Sequence, residues 1–134
     1  MFLNLTKLSL LHLHNNPLSA NGYEYLQNVR SITELRVDGT RNTTSDVFVD
    51  HTYFKEMPFL RNLYISKNFI QSLEDDYFTY TPAISYIYCS NNELTEISSK
   101  LFQNLSALYT IDLQRNKIKV IKAGSFQNLP RLST

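Results

Sequence analysis

Several residue types that would place a protein in a familiar class are scarce or missing from this 134-residue sequence. A single cysteine, Cys89, excludes any disulfide within the chain. No apolar run is long enough to span a bilayer, and the opening residues, MFLNLTKL, lack the charged and long apolar segments of a signal peptide. The formal net charge is only +1, so the composition gives no reason to expect nucleic acid or a membrane surface as a partner.

Groupings of residues that carry catalysis are missing as well. The sequence shows no nucleophile beside a base, no phosphate-binding loop and no clustered metal ligands. Cys89 takes an apolar position, which predicts a buried thiol that packs as a small hydrophobic residue. His12 and His14 face the same way beside Asp38, but zinc needs three or four ligands, so exposed histidines without metal are the better interpretation. We therefore predict no enzyme activity, no metal site and no cofactor.

An apolar pattern that repeats along the chain dominates what is present. Residues 108–118, LYTIDLQRNKI, read LxxLxLxxNxI, and further copies start at residues 8, 60 and 84. A worn copy starts at Ile32, with Thr40 in place of the asparagine. The starts are 24 residues apart except between 32 and 60, where the step is 28. A fixed period of this size is typical of a solenoid.

Each copy of the pattern predicts one short strand and one return. The LxL segment alternates apolar and polar residues, which indicates a strand with one face inward. A looser segment then returns on the far side and carries one large apolar residue in each repeat: Leu26, Phe54, Phe78, Phe102 and Phe126. One repeat cannot bury these residues alone, so the predicted fold is an α/β solenoid with a curved parallel sheet on its concave side. Loops or short helices would form the convex side.

The asparagine of the pattern predicts hydrogen bonds that join one repeat to the next. An amide side chain offers donors and an acceptor, and at the turn after the strand it can satisfy backbone groups of its own and the neighbouring coil. We predict a buried ladder of these side chains that is interrupted at Thr40. Its members are Asn16, Asn68, Asn92 and Asn116.

The combination of LxxLxLxxNxI with an F-x-x-L return resembles the leucine-rich repeat family over essentially the whole chain. The period of 24 is similar to the typical animal extracellular class, which includes Toll-like receptor ectodomains. The resemblance implies a single array of about five repeats over residues 1–134. Extracellular arrays of this family usually end in cysteine-rich caps, and neither end shows one, so we expect a fragment of a longer protein.

Recognition rather than chemistry is the function that the resemblance implies. We expect part of an extracellular or cell-surface receptor, Toll-like or of the adhesion type, that binds a protein or microbial ligand and signals through dimerisation. A cytoplasmic scaffold that docks a partner protein is the alternative, which the lone cysteine and the missing signal peptide suit. Three glycosylation sequons, at Asn4, Asn42 and Asn104, favour the receptor. At Asn4 and Asn104, however, F-x-N-L is also a common form of the return.

The strand register predicts which side chains line the concave face. The centre of this face is rich in tyrosine with arginine beside it, and these residue types are common at protein-binding hot spots. Tyrosine also favours strands, so its abundance alone has a second explanation. The predicted ligand-binding residues are His12, Arg36, Tyr64, Tyr86, Tyr88 and Asp112.

The long second repeat contains an insertion. Its four extra residues fall within 39–46, GTRNTTSD, a stretch rich in turn formers. We expect a projecting loop, either functional or a tolerated surface variation, with at least one of Val47, Phe48 and Val49 returning to the core.

Overall fold

Short parallel strands, one near the start of each repeat, organise the molecule. The computed structural model describes residues 5–18, 26, 29–40 and 51–134. The strands in this part of the chain are β1 Leu10–His12, β2 Glu34–Arg36, β3 Asn62–Tyr64, β4 Tyr86–Tyr88, β5 Glu96–Ile97, β6 Thr110–Asp112 and β7 Val120–Ile121. A 3₁₀ helix, His51–Glu56, lies on the return of the second repeat.

Two parallel sheets join the repeats. The main sheet has five strands in the order β1-β2-β3-β4-β6, and β5 pairs with β7 in a second sheet. Each strand of the main sheet pairs with the equivalent residues of the next repeat, so that Leu35 lies beside Leu63 and Leu63 beside Ile87. This architecture confirms the predicted solenoid.

The inward residue of each main strand shows where the core is closed. Leu35, Leu63 and Ile87 are buried, whereas Leu11 on β1 and Ile111 on β6 are only half-buried. Within the described part of the chain, each of the two outer strands pairs with a strand on one side only. Burial in this molecule therefore comes from the neighbouring repeat, as stacking of repeats requires.

Aromatic side chains of the returns form a second line of packing. The rings of Phe78 and Phe102 stack with centroids 5.9 Å apart, and those of Phe102 and Phe126 stack at 5.7 Å. Tyr77 joins this line to the second repeat by edge-to-face contacts with Phe54 at 5.6 Å and Phe78 at 5.2 Å. Phe126, on the last return, stays 39% exposed.

The turn after each main strand uses the same left-handed residue. A positive φ occurs directly before the ladder position in every repeat, at Asn15, Gly39, Lys67, Asn91 and Arg115. A β-carbon on Gly39 would lie 2.9 Å from Asn15 Oδ1, so glycine suits this position in space as well as in conformation. The turn directs the ladder side chain back into the stack.

The predicted ladder is present in the middle repeats. Asn92 Oδ1 accepts from the backbone N–H groups of Asn68 and Ile70 at 2.9 and 3.1 Å, while its Nδ2 donates to the carbonyls of Ile65 and Cys89 at 3.0 Å. One amide thus serves its own coil and the preceding one. Both Asn68 and Asn92 are buried.

The ends of the ladder depart from the prediction. Asn16 is exposed, which corrects the expectation that it is buried, because β1 is an edge strand with no described coil before it to bond. Its amide donates to Leu13 and His14 carbonyls of its own turn. Asn116 is half-buried and donates to the Cys89 carbonyl at 3.0 Å.

The predicted interruption at Thr40 is bridged by the main chain. Thr40 is buried, and its hydroxyl donates to the Val37 carbonyl at 3.0 Å. Leu18 N donates to the Thr40 carbonyl at 2.9 Å, whereas the equivalent N–H of Ile70 donates to a ladder amide. A backbone oxygen therefore takes the place of the missing side-chain oxygen. Within the stretch 39–46 that is predicted to hold the four extra residues, positions 41–46 lie outside the described residues, as do Val47 to Val49.

Candidate protein-binding surface

One row of side chains crosses the concave face at the same register of all five strands. The pairing places His12 beside Arg36, Arg36 beside Tyr64, Tyr64 beside Tyr88 and Tyr88 beside Asp112. Five of the six predicted binding residues thus lie in this row, which we call the central row. They come together because each is the third residue of its strand, and parallel strands align equivalent positions.

The middle of the central row is a stack of planar groups. The rings of Tyr64 and Tyr88 are 4.5 Å apart between centroids and nearly parallel, at 10°. On the other side, the guanidinium carbon of Arg36 lies 4.2 Å from the Tyr64 centroid. Each group restrains its neighbour, so a partner that contacts these side chains would immobilise little that is still mobile. Burial raises the pKa of Tyr64, which keeps its hydroxyl protonated as a donor.

Carboxylates lie beside the basic end of the row. Asp38 Oδ2 lies 3.7 Å from Arg36 Nε, and Asp38 Oδ1 accepts from Ser66 N at 3.0 Å. Glu34 accepts from Asn62 Nδ2 at 3.0 Å and lies 2.8 Å from His12 Nε2. The hydrogen bond from Asn62, aided by His12, holds the pKa of Glu34 below its ordinary value. His12 is therefore a partner of Glu34 within the protein.

Tyr86, the sixth predicted residue, belongs to a different cluster. Its ring contacts Tyr109 with centroids 5.9 Å apart, towards the edge of the sheet. Tyr109 is 46% exposed, and Leu10, which stands on β1 at the position that Tyr86 has on β4, is 55% exposed. Tyr86 and Tyr88 stand two apart on β4, so this strand contributes one ring to the central row and one to the pair with Tyr109.

A shallow depression runs along the central row. It has a volume of about 350 Å³, and Arg36, Tyr64, Tyr88 and Asp112 contribute to its lining. Asp38, Ser66, Lys67 and Ser90 also line it. These four residues were not among the predicted ones, although they stand two or three positions after the row in their repeats. The binding role of the row remains a prediction.

Other sequence-predicted positions have simple structural accounts. Burial raises the pKa of the Cys89 thiol to about 12, so this group stays protonated and unreactive. His12 and His14 are both exposed, with their rings 6.2 Å apart. Within the described ranges, no three metal-ligating side chains come together. Nor does that part of the chain contain a helix with the length and apolar character to cross a bilayer.

The sequon at Asn104 lies on the return of the fourth repeat. Asn104 and Ser106 are exposed, and Asn104 has a φ of 65°. Asn128, at the equivalent place in the next repeat, has a φ of 58° without belonging to a sequon. Asparagine tolerates this left-handed conformation, so the turn alone accounts for the residue. Asn4 and Asn42 lie outside the described residues.

The parallel coils, the apolar columns and the asparagine ladder define a leucine-rich repeat protein. A sequence model described as "Leucine rich repeat" matches residues 58–109 and residues 85–134, together more than half of the chain. The chain belongs to the leucine-rich repeat family. A comparison with curated proteins gave no match.

Solved structures with the same fold come from animals and bacteria. The chain resembles the Drosophila protein Toll in its complex with Spatzle, with a TM-score of 0.69 and 24% identity over 98% of this chain and 17% of that one. It also resembles Listeria monocytogenes InlP, with a TM-score of 0.70 and 25% identity over 96% and 35%. The leucine-rich repeat domain of APL1B is similar with a TM-score of 0.64 and 25% identity, and the match covers 81% of this chain and 31% of that one. The chain thus spans only about a sixth to a third of these structures' lengths.

Proposed function

We propose that this chain is a protein-recognition module of an extracellular receptor, and that the central row is its binding surface. The leucine-rich repeat fold is typically a protein-interaction module and typically carries no catalysis. Toll, whose fold this chain resembles, is seen in complex with Spatzle, which supports a protein as the ligand.

The stacked unit Arg36–Tyr64–Tyr88 is the observation that carries the proposal. Tyrosine and arginine dominate binding energy at many interfaces, because they combine apolar area with hydrogen-bonding groups. Here they are held in place by one another before any partner arrives. Both faces of the Tyr64 ring are covered, so at Tyr64 a partner meets the ring edge and the hydroxyl group.

Selection from a displayed library of random peptides tests the surface. Peptides selected on the intact chain are expected to lose binding by at least about tenfold when Tyr64→Ala and Tyr88→Ala are combined. Tyr80→Ala is the matched control, because Tyr80 is also partly exposed and has Lys55 Nζ 5.3 Å from its ring, away from the concave face. Peptides that bind the double variant as well as the intact chain would refute the site.

The extracellular part of the proposal has its own test. When the chain is directed into the secretory pathway, Asn104 is expected to carry a glycan, because the acceptor and Ser106 are exposed. Ser106→Ala should abolish the mass increment at this residue, and Pro130→Ser should create a second acceptor at Asn128. Modification at Asn128 without modification at Asn104 would contradict the assignment of Asn104.

A further inference from the structure

At the acidic end of the central row, a ring face of Tyr88 lies open beside a carboxylate. From this arrangement we infer a binding site, here called the seat, for an arginine side chain of the partner. The seat consists of the outer ring face of Tyr88 and the carboxylate of Asp112. This inference rests on the proposed function, since it names the chemistry that the same surface recognises.

The two faces of the Tyr88 ring have different surroundings. One face stacks on Tyr64, which in turn carries Arg36 on its far side. The strand order β2-β3-β4-β6 directs the second face towards β6. Among the described residues, no ring and no cation covers that second face. It is the one open aromatic face of the stack.

The neighbour on β6 turns this face into one wall of a notch. Tyr88 and Asp112 are paired in register, so their side chains leave the sheet side by side, about 5 Å apart. An aspartate side chain is several ångströms shorter than a tyrosine side chain. We therefore expect the outer part of the ring to extend beyond the Asp112 carboxylate. Both residues line the same depression.

The charge of Asp112 is uncompensated within the described part of the protein. Its Oδ1 accepts from Gln114 N at 3.0 Å, but it forms no ion pair with a described residue. The other carboxylates of this face differ, since Glu34 lies 2.8 Å from His12 and Asp38 lies 3.7 Å from Arg36. A cation from a partner would complete the row.

The basic end of the row shows which cation fits. There, the guanidinium carbon of Arg36 lies over the Tyr64 ring, 4.2 Å from its centroid, and Asp38 Oδ2 lies 3.7 Å from Arg36 Nε. The notch at Tyr88 and Asp112 offers the same two partners, ring and carboxylate, without the guanidinium. A planar guanidinium can stack on the ring and direct its N–H groups to the carboxylate, which a lysine ammonium cannot do equally well.

Nuclear magnetic resonance titration of the intact chain with N-acetyl-arginine amide tests the seat. We expect saturable shifts centred on Tyr88 and Asp112, weaker ones with N-acetyl-lysine amide, and none with the neutral N-acetyl-citrulline amide. Asp112→Asn, which keeps the size of the side chain, should weaken binding by about tenfold. Tyr88→Leu, which keeps an apolar residue without a ring face, should have a similar effect. Equal shifts with citrulline, or unchanged affinity in Asp112→Asn, would overturn the inference.

The library-selected peptides separate this inference from the proposed function. If the seat exists, peptides that need Tyr64 and Tyr88 should contain arginine and bind Asp112→Asn more weakly. Peptides that need the tyrosines but ignore Asp112 would refute the seat and leave the binding surface standing. Peptides whose binding does not depend on Tyr64 and Tyr88 would refute the proposed function. The seat would still be supported if N-acetyl-arginine amide bound at Asp112.

Discussion

The middle repeats and the first repeat carry the same pattern in different surroundings. On β3 the inward residue Leu63 is fully buried, whereas its equivalent on β1, Leu11, is half-buried. Asn92 bonds to two coils, whereas the bonds of Asn16 to described residues are all within its own turn. The residue types are equal, so the difference comes from the number of neighbouring repeats. In a solenoid, the repeat pattern determines which contacts a residue is able to make, and the number of neighbouring repeats determines how much those contacts contribute to stability.

The largest expected effect comes from the aromatic line of the returns. Phe102 is buried between two rings, so Phe102→Ala should lower the free energy of unfolding by about 3–5 kcal/mol. Phe126→Ala removes a ring with one stacked neighbour and substantial exposure, and should cost less than half as much. Urea denaturation measures both. Equal losses would show that stacking position does not control burial energy here.

The ladder provides the second test. Asn92→Ala should destabilise the protein by about 1–3 kcal/mol, because buried backbone groups of two coils lose their partner. Asn16→Ala should change stability by about 0.5 kcal/mol or less, since water can replace its bonds. The midpoints of chemical denaturation compare the two variants. An unchanged midpoint in Asn92→Ala would refute the ladder as a source of stability.

The contact between the strand-exit turns of the first and second repeats should show a smaller effect. Gly39→Ala forces a side chain into a left-handed conformation and against Asn15 Oδ1, so it should cost about 1 kcal/mol. Asn15→Gly removes the contacting group and suits the positive φ of this residue, so the double variant should recover part of the loss. Thermal denaturation detects both changes. A melting temperature that Gly39→Ala leaves unaltered would contradict this account.

The smallest expected effect concerns Glu34, which joins β1 to the middle repeats. Its pKa is lowered in the folded protein, chiefly by Asn62, so the folded state binds its proton less readily than the unfolded state. The stabilisation is therefore present above the ordinary pKa of glutamate and is lost as the pH falls through the folded value. Glu34→Gln should cost about 0.5 kcal/mol or less near pH 7, and this cost should shrink as the pH falls through the lowered pKa of Glu34.

Matched variants assign the pKa shift to the two sides of Glu34. Nuclear magnetic resonance titration should show that Asn62→Ala raises the Glu34 pKa more than His12→Ala does, because the Asn62 bond is the main cause. The reverse order would mean that the edge strand, rather than the middle repeat, stabilises the carboxylate.

Periodicity made the fold and the central row predictable. A constant step aligns equivalent residues on neighbouring strands, so the row from His12 to Asp112 follows from counting. The stacking of Tyr64 on Tyr88 and of Arg36 on Tyr64 does not follow, because it depends on side-chain rotamers. The pattern does not predict the exposure of Asn16, because it is the same in every copy whether or not a repeat packs on both sides of that copy.

The returns show a different limit of sequence interpretation. The asparagine of F-x-N-L was explained as a common form of the return, without a physical reason. The positive φ of Asn104 and Asn128 supplies that reason, because a left-handed turn tolerates asparagine. Backbone conformation of this kind leaves no periodic apolar signal, so a pattern of hydrophobic residues cannot reveal it.

The buried thiol of Cys89 is a built-in probe of the rate at which the fourth repeat opens locally. A thiol reagent in solution cannot reach this sulfur while the fourth repeat is closed, and the raised pKa leaves almost no thiolate to react. The rate of labelling at high reagent concentration is then the rate at which that repeat opens. Because the chain has no other cysteine, one colorimetric measurement times the motion of a single coil without any added probe.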